Sequence, residues 1–294
     1  MRPRAAAERS NPYDLIVAPE RFEEHMRLIS EVFEPSELGE RNQPSRRPRA
    51  IVTFDDGYAD NLQVAAPITE KFGIPIIVYV TTALLGDTRG FWWDRLAAIC
   101  ARICPEAVAE SASLQVAGSR LVLNLRDAGA TGQLRRDVHQ LLRPLRRPVI
   151  DAALDELARQ VEVDPSGDAD APVLSVPEVV QLSKLSHVVI GAHTADHDLL
   201  SALSSAEQDP EIRSSLQALE GITGAPVLHF AYPYGGPGDM NGDTMRALRD
   251  MGVHTAVTTT PGRVDATTPP LQLPRFMITP YDTPSDLLAQ SGFS

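Results

Sequence analysis

One stretch decides the predicted fold: Ile51-Val52-Thr53-Phe54-Asp55-Asp56-Gly57-Tyr58. Its first four residues are apolar or β-branched, which favours a buried strand, and the run ends in two carboxylates and a glycine. In α/β folds with parallel strands, chemistry gathers at the carboxyl ends of the strands. Adjacent residues there point in different directions, so one acid can bind a metal while its neighbour faces a substrate. The alternative is a polar turn, because Asp-Gly is a common turn pair.

Composition limits the kinds of protein that the chain can be. It has 294 residues, 43% of them hydrophobic, and a net charge of -12 that argues against nucleic acid or anionic membrane as a partner. Cys100 and Cys104 are too few for a disulfide framework, so we predict buried thiols. We find no apolar run long enough to span a membrane and no signal peptide in Met1 to Asn11. These features predict a cytoplasmic protein and leave its oligomeric state open.

The sequence after the two acids alternates between helix and strand patterns. A helix is predicted over 61–72 and a second buried strand over 74–80. Further strands are predicted over 188–192, 227–231, 254–258 and 273–276, with helices over 176–185, 205–222 and 241–251. The alternation predicts an α/β fold with a parallel, barrel-like sheet of about seven strands.

Residues 105–172 interrupt this alternation. A hairpin around Ala117-Gly118-Ser119 and two charged helices are predicted there. We predict an insertion into a single domain over 19–294, which follows a flexible segment over 1–18. Arginines in the insertion predict a solvated helix face, with an anion site as the alternative; they are Arg135, Arg136, Arg143, Arg146 and Arg147.

Two histidines follow the predicted strand 188–192. His193 and His197 are four residues apart, and on a helical turn their imidazoles would share one face. Two histidines and one carboxylate, with an open position, make a catalytic zinc site. Asp55 or Asp56 would supply the carboxylate. The alternative is that each histidine forms hydrogen bonds in a polar loop. Because both signals come at strand ends, we favour a site for one divalent metal ion, Zn²⁺.

Such a site would support hydrolysis of an acyl group. A bound metal would polarise an acyl oxygen and lower the pKa of water toward about 7. The second carboxylate would act as the base that takes the proton from water. The backbone of Tyr234-Gly235-Gly236 could donate to an oxyanion, because glycines allow close approach. The alternative for that loop is an ordinary Pro-Gly turn.

Three motifs occur in order along the chain. They are Thr53-Phe54-Asp55-Asp56-Gly57, His193-Thr194-Ala195-Asp196-His197 and Tyr232-Pro233-Tyr234-Gly235. In this combination the chain resembles the polysaccharide deacetylases, the NodB-homology group called carbohydrate esterase family 4, from about residue 19 to 290. The resemblance implies a distorted (β/α) barrel that removes N-acetyl groups from amino sugars with a divalent metal.

The resemblance also implies roles for individual residues. It implies Asp56, His193 and His197 as metal ligands, Asp55 as the general base, and the backbone N–H of Tyr234 as the oxyanion donor. The predicted substrate contacts are Tyr58, Trp92, Trp93, Pro233 and Gly235. The two tryptophans could stack on a sugar ring, and the alternative is that they anchor their helix on the core.

The sequence departs from the family pattern in two places. Ala231 stands where the third motif usually has an arginine that orients the base, and Arg275 is the predicted replacement from another strand end. The family also uses a histidine as general acid, near the C-terminus or in an N-terminal Tyr-His motif. No histidine follows His254, and Met1 to Ser10 contains none. The acid is therefore lost, lies before a truncated start, or is replaced by His229 or His254, and replacement is the least favoured of these.

The leading hypothesis is a metal-dependent hydrolase that removes an N-acetyl group from an amino sugar or oligosaccharide. The first alternative is a catalytically impaired carbohydrate-binding homologue, because the acid histidine is missing. The second is a hydrolase that acts on another C–N bond, such as a formamide.

Overall fold

A computed structural model of the chain describes residues 15–40, 45–103, 111–125, 130–164 and 172–292. Most of the predicted flexible segment over 1–18, and Cys104, lie outside the described residues. The chain forms two compact units, the first of Leu15–Gly86 and Val173–Ser294 and the second containing Asp87–Pro172. Among the described residues, none of the helices has the length and apolar character needed to span a membrane.

The described elements alternate as the sequence predicts. The strands are β1 (Glu34–Pro35), β2 (Arg49–Ala50), β3 (Val52–Phe54), β4 (Ile76–Val80), β5 (Ser111–Val116), β6 (Ser119–Asn124), β7 (Val188–Ala192), β8 (His229–Ala231) and β9 (Thr255–Val257). The α-helices are α1 (Pro19–Val32), α2 (Ala66–Lys71), α3 (Trp92–Arg102), α4 (Ala130–Leu142), α5 (Arg147–Gln160), α6 (Val176–Ser183), α7 (Ser205–Thr223), α8 (Gly242–Asp250) and α9 (Pro284–Ser291).

A sheet of five strands organises the first unit. Its order is β3-β4-β7-β8-β9, and every neighbouring pair is parallel. This arrangement, with helices between the strands, confirms the predicted α/β class. Because the strands are parallel, their carboxyl ends meet at one edge of the sheet. That edge carries the polar motifs.

The central strand β4 is buried at all of its positions, because both faces of the sheet are covered. Val78 and Val80 belong to the main core, together with Phe230 of β8. Ile77 and Tyr79 point to the opposite face and belong to a second cluster. A run of apolar and β-branched residues without alternation is what such a strand requires.

The last predicted strand, 273–276, is not part of the sheet. Leu273 forms one isolated parallel bridge with Val257. Pro274 lacks an N–H and cannot donate to a ladder, so regular pairing ends there. The N–H of Arg275 then donates to the carbonyl of Thr260 at 3.0 Å, which holds this segment beside the end of β9.

The second unit contains the predicted hairpin, formed by antiparallel β5 and β6. The described part of this unit starts at Asp87, so the unit contains α3 in addition to the predicted insertion over 105–172. The prediction of a solvated arginine face is wrong for Arg147, which is buried. The carboxylates of Asp87 and Asp151 offset its charge, at 3.3 and 3.4 Å from its guanidinium nitrogens.

Close packing between β4 and β7 gives a first prediction. A Cβ atom at Gly191 would lie 2.4 Å from the ring of Tyr79, which is fully buried. Since the ring has no space to move into, we expect Gly191→Ala to lower the free energy of unfolding by about 1–3 kcal/mol, the usual cost of overpacking. Chemical denaturation measures this change.

The matched control is Gly221→Ala in α7, where an added Cβ meets nothing within 4 Å. Alanine is the better helix former, so this variant should gain about 0.5–1 kcal/mol. Equal effects of the two substitutions would contradict the packing argument.

Candidate active site

The carboxyl edge of the sheet in the first unit brings the predicted catalytic and metal-ligating residues together. Asp55 and Asp56 directly follow β3, and His193 directly follows β7. Tyr234 comes three residues after the end of β8, and Arg275 follows the bridge at Leu273.

Three predicted ligands form a tight cluster. The Nε2 atoms of His193 and His197 lie 3.1 Å apart, and each lies 3.4 Å from Oδ1 of Asp56. The histidine side chains are buried. The cluster is one of the groups among the described residues that could hold a metal ion.

The spacing of these atoms fits a tetrahedral metal. With metal–ligand bonds of about 2.0–2.1 Å, the ligand atoms of a tetrahedral site lie about 3.3 Å apart. The observed separations of 3.1 and 3.4 Å match that edge. Two imidazoles and one carboxylate are also a donor set that Zn²⁺ uses in catalytic sites.

The surroundings orient His193 and favour the neutral form of His197. Burial alone would lower the pKa of His193, but the neighbouring carboxylates of Asp56 and Asp55 raise it overall. Nδ1 of His193 lies 2.7 Å from the carbonyl oxygen of Ala231, so its N–H donates there and directs the Nε2 lone pair toward Asp56. Burial lowers the pKa of His197, which favours the neutral imidazole. Burial opposes ionisation of Asp56, yet the two adjacent histidines hold its pKa well below the usual range.

One interpretation of the histidine spacing required both residues to share a helical turn, and they do not. Residues 193–198 form a loop, in which Thr194 and His197 adopt left-handed φ angles of 63° and 61°. Asp56 and Tyr234 also have positive φ, at 73° and 62°. Non-glycine residues rarely adopt this conformation, and such strain clusters at functional sites.

Asp55 and Arg275 form a bidentate ion pair. Nη1 and Nη2 of Arg275 donate to the two carboxylate oxygens at 2.8 and 2.7 Å. Arg275 is fixed by further bonds, from Nε to the carbonyl of Thr258 and from Nη1 to the hydroxyl of Thr53, both 2.9 Å. Burial alone would raise the pKa of Asp55, but the charge and hydrogen bonds of Arg275 lower it overall. Asp55 is therefore a carboxylate at neutral pH.

The Tyr-Pro-Tyr-Gly loop lies against the histidine cluster. The ring of Tyr234 packs edge-on against that of His197, with centroids 4.9 Å apart. Thr259 holds the loop, because its hydroxyl donates to the carbonyl of Tyr234 at 2.7 Å and its N–H to that of Gly235 at 2.9 Å. A Cβ at Gly235 would lie 2.9 Å from the nitrogen of Thr259, so this close approach requires glycine.

The predicted substrate contacts lie in different places. Pro233 and Gly235 are buried in the loop, and Tyr58 is half-buried beside Asp56 and bridges to Val173. Trp92 is buried in the core of the second unit, with its ring 4.6 Å from that of His139. Trp93 is half-buried and stacks on Phe91. These contacts favour the core-anchor interpretation of the tryptophans, and sugar stacking stays a prediction.

The two histidines weighed as replacement acids lie toward the amino ends of strands. His229 opens β8, and His254 directly precedes β9. His187 likewise precedes β7. Among the described histidines of the first unit, His193 and His197 are the ones that follow the carboxyl end of a strand.

Sequence reasoning missed the residues that support the site. Thr53, Thr258 and Thr259 anchor Arg275 and the tyrosine loop. Thr53 belongs to the first motif, but the sequence alone predicts no role for it, and threonines such as Thr258 and Thr259 directly after a strand give no distinctive signal. Glu211 of α7 is 5% exposed and accepts the N–H of Asp196 at 2.7 Å. The sequence signal that could have identified Glu211 is a charged residue on the buried side of the helix, next to Ile212.

The geometry agrees with comparisons with known proteins. The sequence model of a family described as polysaccharide deacetylase matches residues 149–256, which include both histidines. A comparison with curated proteins found no match.

Several solved structures share the fold. Deacetylase PplD of Streptococcus pyogenes, in complex with acetate, is 17% identical with a TM-score of 0.61, covering 99% of this chain and 92% of that one. A polysaccharide deacetylase from Bacillus cereus is 18% identical with a TM-score of 0.59, covering 94% of this chain and 62% of that one. IcaB from Ammonifex degensii is 16% identical with a TM-score of 0.54, covering 94% of this chain and 89% of that one.

These likenesses establish the fold as the distorted (β/α) barrel of the NodB-homology type. With the family-model match, they confirm the resemblance to the polysaccharide deacetylases that the motifs predicted.

The ion pair at Asp55 gives a second prediction. Arg275→Met leaves a mostly buried carboxylate unpaired, so we expect a loss of about 3 kcal/mol in the free energy of unfolding at pH 7. The pKa of Asp55 is lowered in the folded state, so this contribution is present above the unfolded pKa of about 4 and is lost as pH falls further. Denaturation from pH 7 to pH 3, in the presence of a chelator, measures it.

Arg246→Met is the control, because it removes an exposed arginine from a surface pair with Asp243. Its cost should stay below about 1 kcal/mol. A loss for Arg275→Met that does not shrink at low pH would argue against the ion pair as its cause.

Proposed function

We propose that this protein is a metal-dependent hydrolase that removes an N-acetyl group from an amino sugar or glycan. One observation carries the proposal: a cluster of two imidazoles and a carboxylate at tetrahedral spacing, next to a second carboxylate paired with an arginine. The resemblance to polysaccharide deacetylases supports the substrate class. The similar protein from Streptococcus pyogenes is in complex with acetate, the product that an N-deacetylase releases.

In this proposal Asp56, His193 and His197 hold one divalent metal ion, for which the donor set favours Zn²⁺. When bound, the ion supplies Lewis acidity toward an acyl oxygen and acidifies water. The hydrogen bond from His193 to the carbonyl of Ala231 fixes the ring orientation, and the neutral state of buried His197 keeps its lone pair available.

Asp55 is the general base of the proposed reaction. Its carboxylate is anionic at neutral pH because of Arg275, and a carboxylate with two hydrogen bonds still has lone pairs that can accept a proton from water. Arg275 holds both oxygens in place, so it orients the base as the arginine of the usual third motif would. This arrangement compensates for Ala231.

The backbone N–H of Tyr234 is the proposed donor to the oxyanion. The bonds from Thr259 fix the loop at both Tyr234 and Gly235, so the donor would not need to reorganise during the reaction. Tyr58, Pro233 and Gly235 adjoin these groups in the chain and are the proposed substrate contacts.

A second candidate function is carbohydrate binding by a homologue that has lost a catalytic group. The position of His229 and His254 toward strand amino ends favours it, because neither is placed as a replacement acid. Loss of a general acid typically costs about 10²–10⁴-fold in rate. A third candidate function is a hydrolase of another C–N bond, such as a formamide. Comparing the rates of hydrolysis of formyl and acetyl substrates distinguishes it from these two functions.

Metal binding gives a third prediction. Zinc titration of the chelator-treated wild type should show about one tight site per chain, and His193→Ala should lose it because two ligands do not complete the site. His254→Ala is the control, because His254 is exposed and lies at the other end of a strand. A folded wild type that takes up no metal would overturn the mechanism.

The base gives a fourth prediction. Asp55→Asn should keep metal affinity but reduce acetate release from N-acetylglucosamine oligosaccharides by at least about 10²-fold, because the amide cannot accept the proton. Asp250→Asn, at an exposed position, should leave the rate unchanged. Turnover retained by Asp55→Asn would remove this residue from the base role. A metal-loaded wild type that binds these sugars without releasing acetate would favour the binding homologue.

A further inference from the structure

The loop between the two histidine ligands has a backbone that its own sequence does not favour. Thr194 and His197 both have left-handed φ angles, although neither is glycine. In this backbone conformation the two Nε2 atoms lie 3.1 Å apart. Because such residues each cost of order 1–3 kcal/mol, the surrounding structure has to hold them in place.

Part of that support comes from inside the loop and from the neighbouring strand end. The hydroxyl of Thr194 accepts the N–H of His197 at 3.0 Å. The N–H groups of Thr82 and Ala83, just after β4, donate to the carbonyls of Thr194 and Ala195 at 3.2 and 2.9 Å. These bonds use the carbonyl groups of Thr194 and Ala195. The N–H groups of Ala195 and Asp196 need acceptors elsewhere.

One residue of α7 accepts hydrogen bonds from both of these consecutive N–H groups. The carboxylate Oε1 of Glu211 accepts the N–H of Asp196 at 2.7 Å, and the backbone carbonyl of Glu211 accepts the N–H of Ala195 at 3.2 Å. Glu211 is only 5% exposed. A buried carboxylate that accepts a backbone N–H makes a strong, charge-assisted hydrogen bond.

Glu211 also belongs to a group of carboxylates that could be taken for a second metal site. Oxygen atoms of Asp196, Asp198 and Glu211 lie within 4.8 Å of one another. The Oε1 atom of Glu211 already accepts a backbone hydrogen bond from Asp196. The contacts therefore assign Glu211 to the loop.

We propose that Glu211 is a positioning residue for the metal centre, acting through the loop that carries His193 and His197. The role rests on the proposed metal site. Glu211 holds the loop in the backbone conformation that directs both imidazoles toward one point before any ion binds. Partners that orient ligands in this way typically contribute about 10–100-fold to metal affinity.

The test measures the affinity of the full-length, chelator-treated protein for Zn²⁺ and Co²⁺, with the visible spectrum of the Co²⁺ form as a readout of coordination geometry. We expect Glu211→Ala to weaken binding by about 10–100-fold and to change the Co²⁺ spectrum. Glu211→Gln keeps an oxygen that can accept the N–H of Asp196, so it should retain most of the affinity. Glu211→Asp keeps the charge but is too short to reach, so it should behave like Glu211→Ala.

Gln208→Ala separates positioning from general stability. Gln208 is also buried on α7, but its side chain bonds to the carbonyl of Leu203 and the hydroxyl of Thr244. This variant should lower the melting temperature and leave metal affinity and the Co²⁺ spectrum unchanged. If Glu211→Ala does not fold, Glu211→Asp decides the test.

The outcomes distinguish the two proposals. A wild type that binds metal, with unchanged affinity in Glu211→Ala and Glu211→Asp, overturns the role of Glu211 and leaves the metal site intact. Equal loss of affinity in Gln208→Ala also overturns it, because the effect would then follow stability. A wild type that binds no metal removes the metal site itself, and the role of Glu211 with it.

Discussion

The parallel register of β3, β4 and β7 is the constraint on which the rest of the site depends. Val80 pairs with Ala192, so the ends of β4 and β7 lie side by side. The hydrogen bonding continues past both ends: His193 donates its N–H to Val80 at 3.0 Å, and Thr81 donates to the carbonyl of Asp56 at 3.2 Å. Two of the predicted metal ligands, Asp56 and His193, are thus tied to the sheet through their own backbones.

Charge at this edge is balanced by pairs that join distant parts of the chain. Asp55 and Arg275 are 220 residues apart, and their bidentate contact links the first strand of the sheet to the segment that follows the last one. The contact keeps Asp55 ionised in a mostly buried position. Buried charges are also paired in the second unit, where Arg95 and Arg147 both form ion pairs with Asp151. A buried charge without such a partner would destabilise either unit.

The site combines a rigid sheet with strained loops. Asp56, His197 and Tyr234 have left-handed backbones, and each belongs to one of the three motifs. Such conformations persist only where neighbouring groups hold them. Thr259 holds the tyrosine loop and Glu211 bonds the histidine loop, so part of the support comes from residues outside the motifs.

The sequence by itself determined the α/β class and the strands around the acid and histidine motifs, and it pointed to the three candidate ligands that the structure brings together. Apolar runs that end in polar residues follow from local burial and need no long-range information. Tertiary structure decided the rest: the burial of Arg147, the left-handed histidine loop and the contact of Glu211 with Asp196. Each of these depends on which distant group supplies a hydrogen bond or an opposite charge, and residue spacing along one chain does not contain that information.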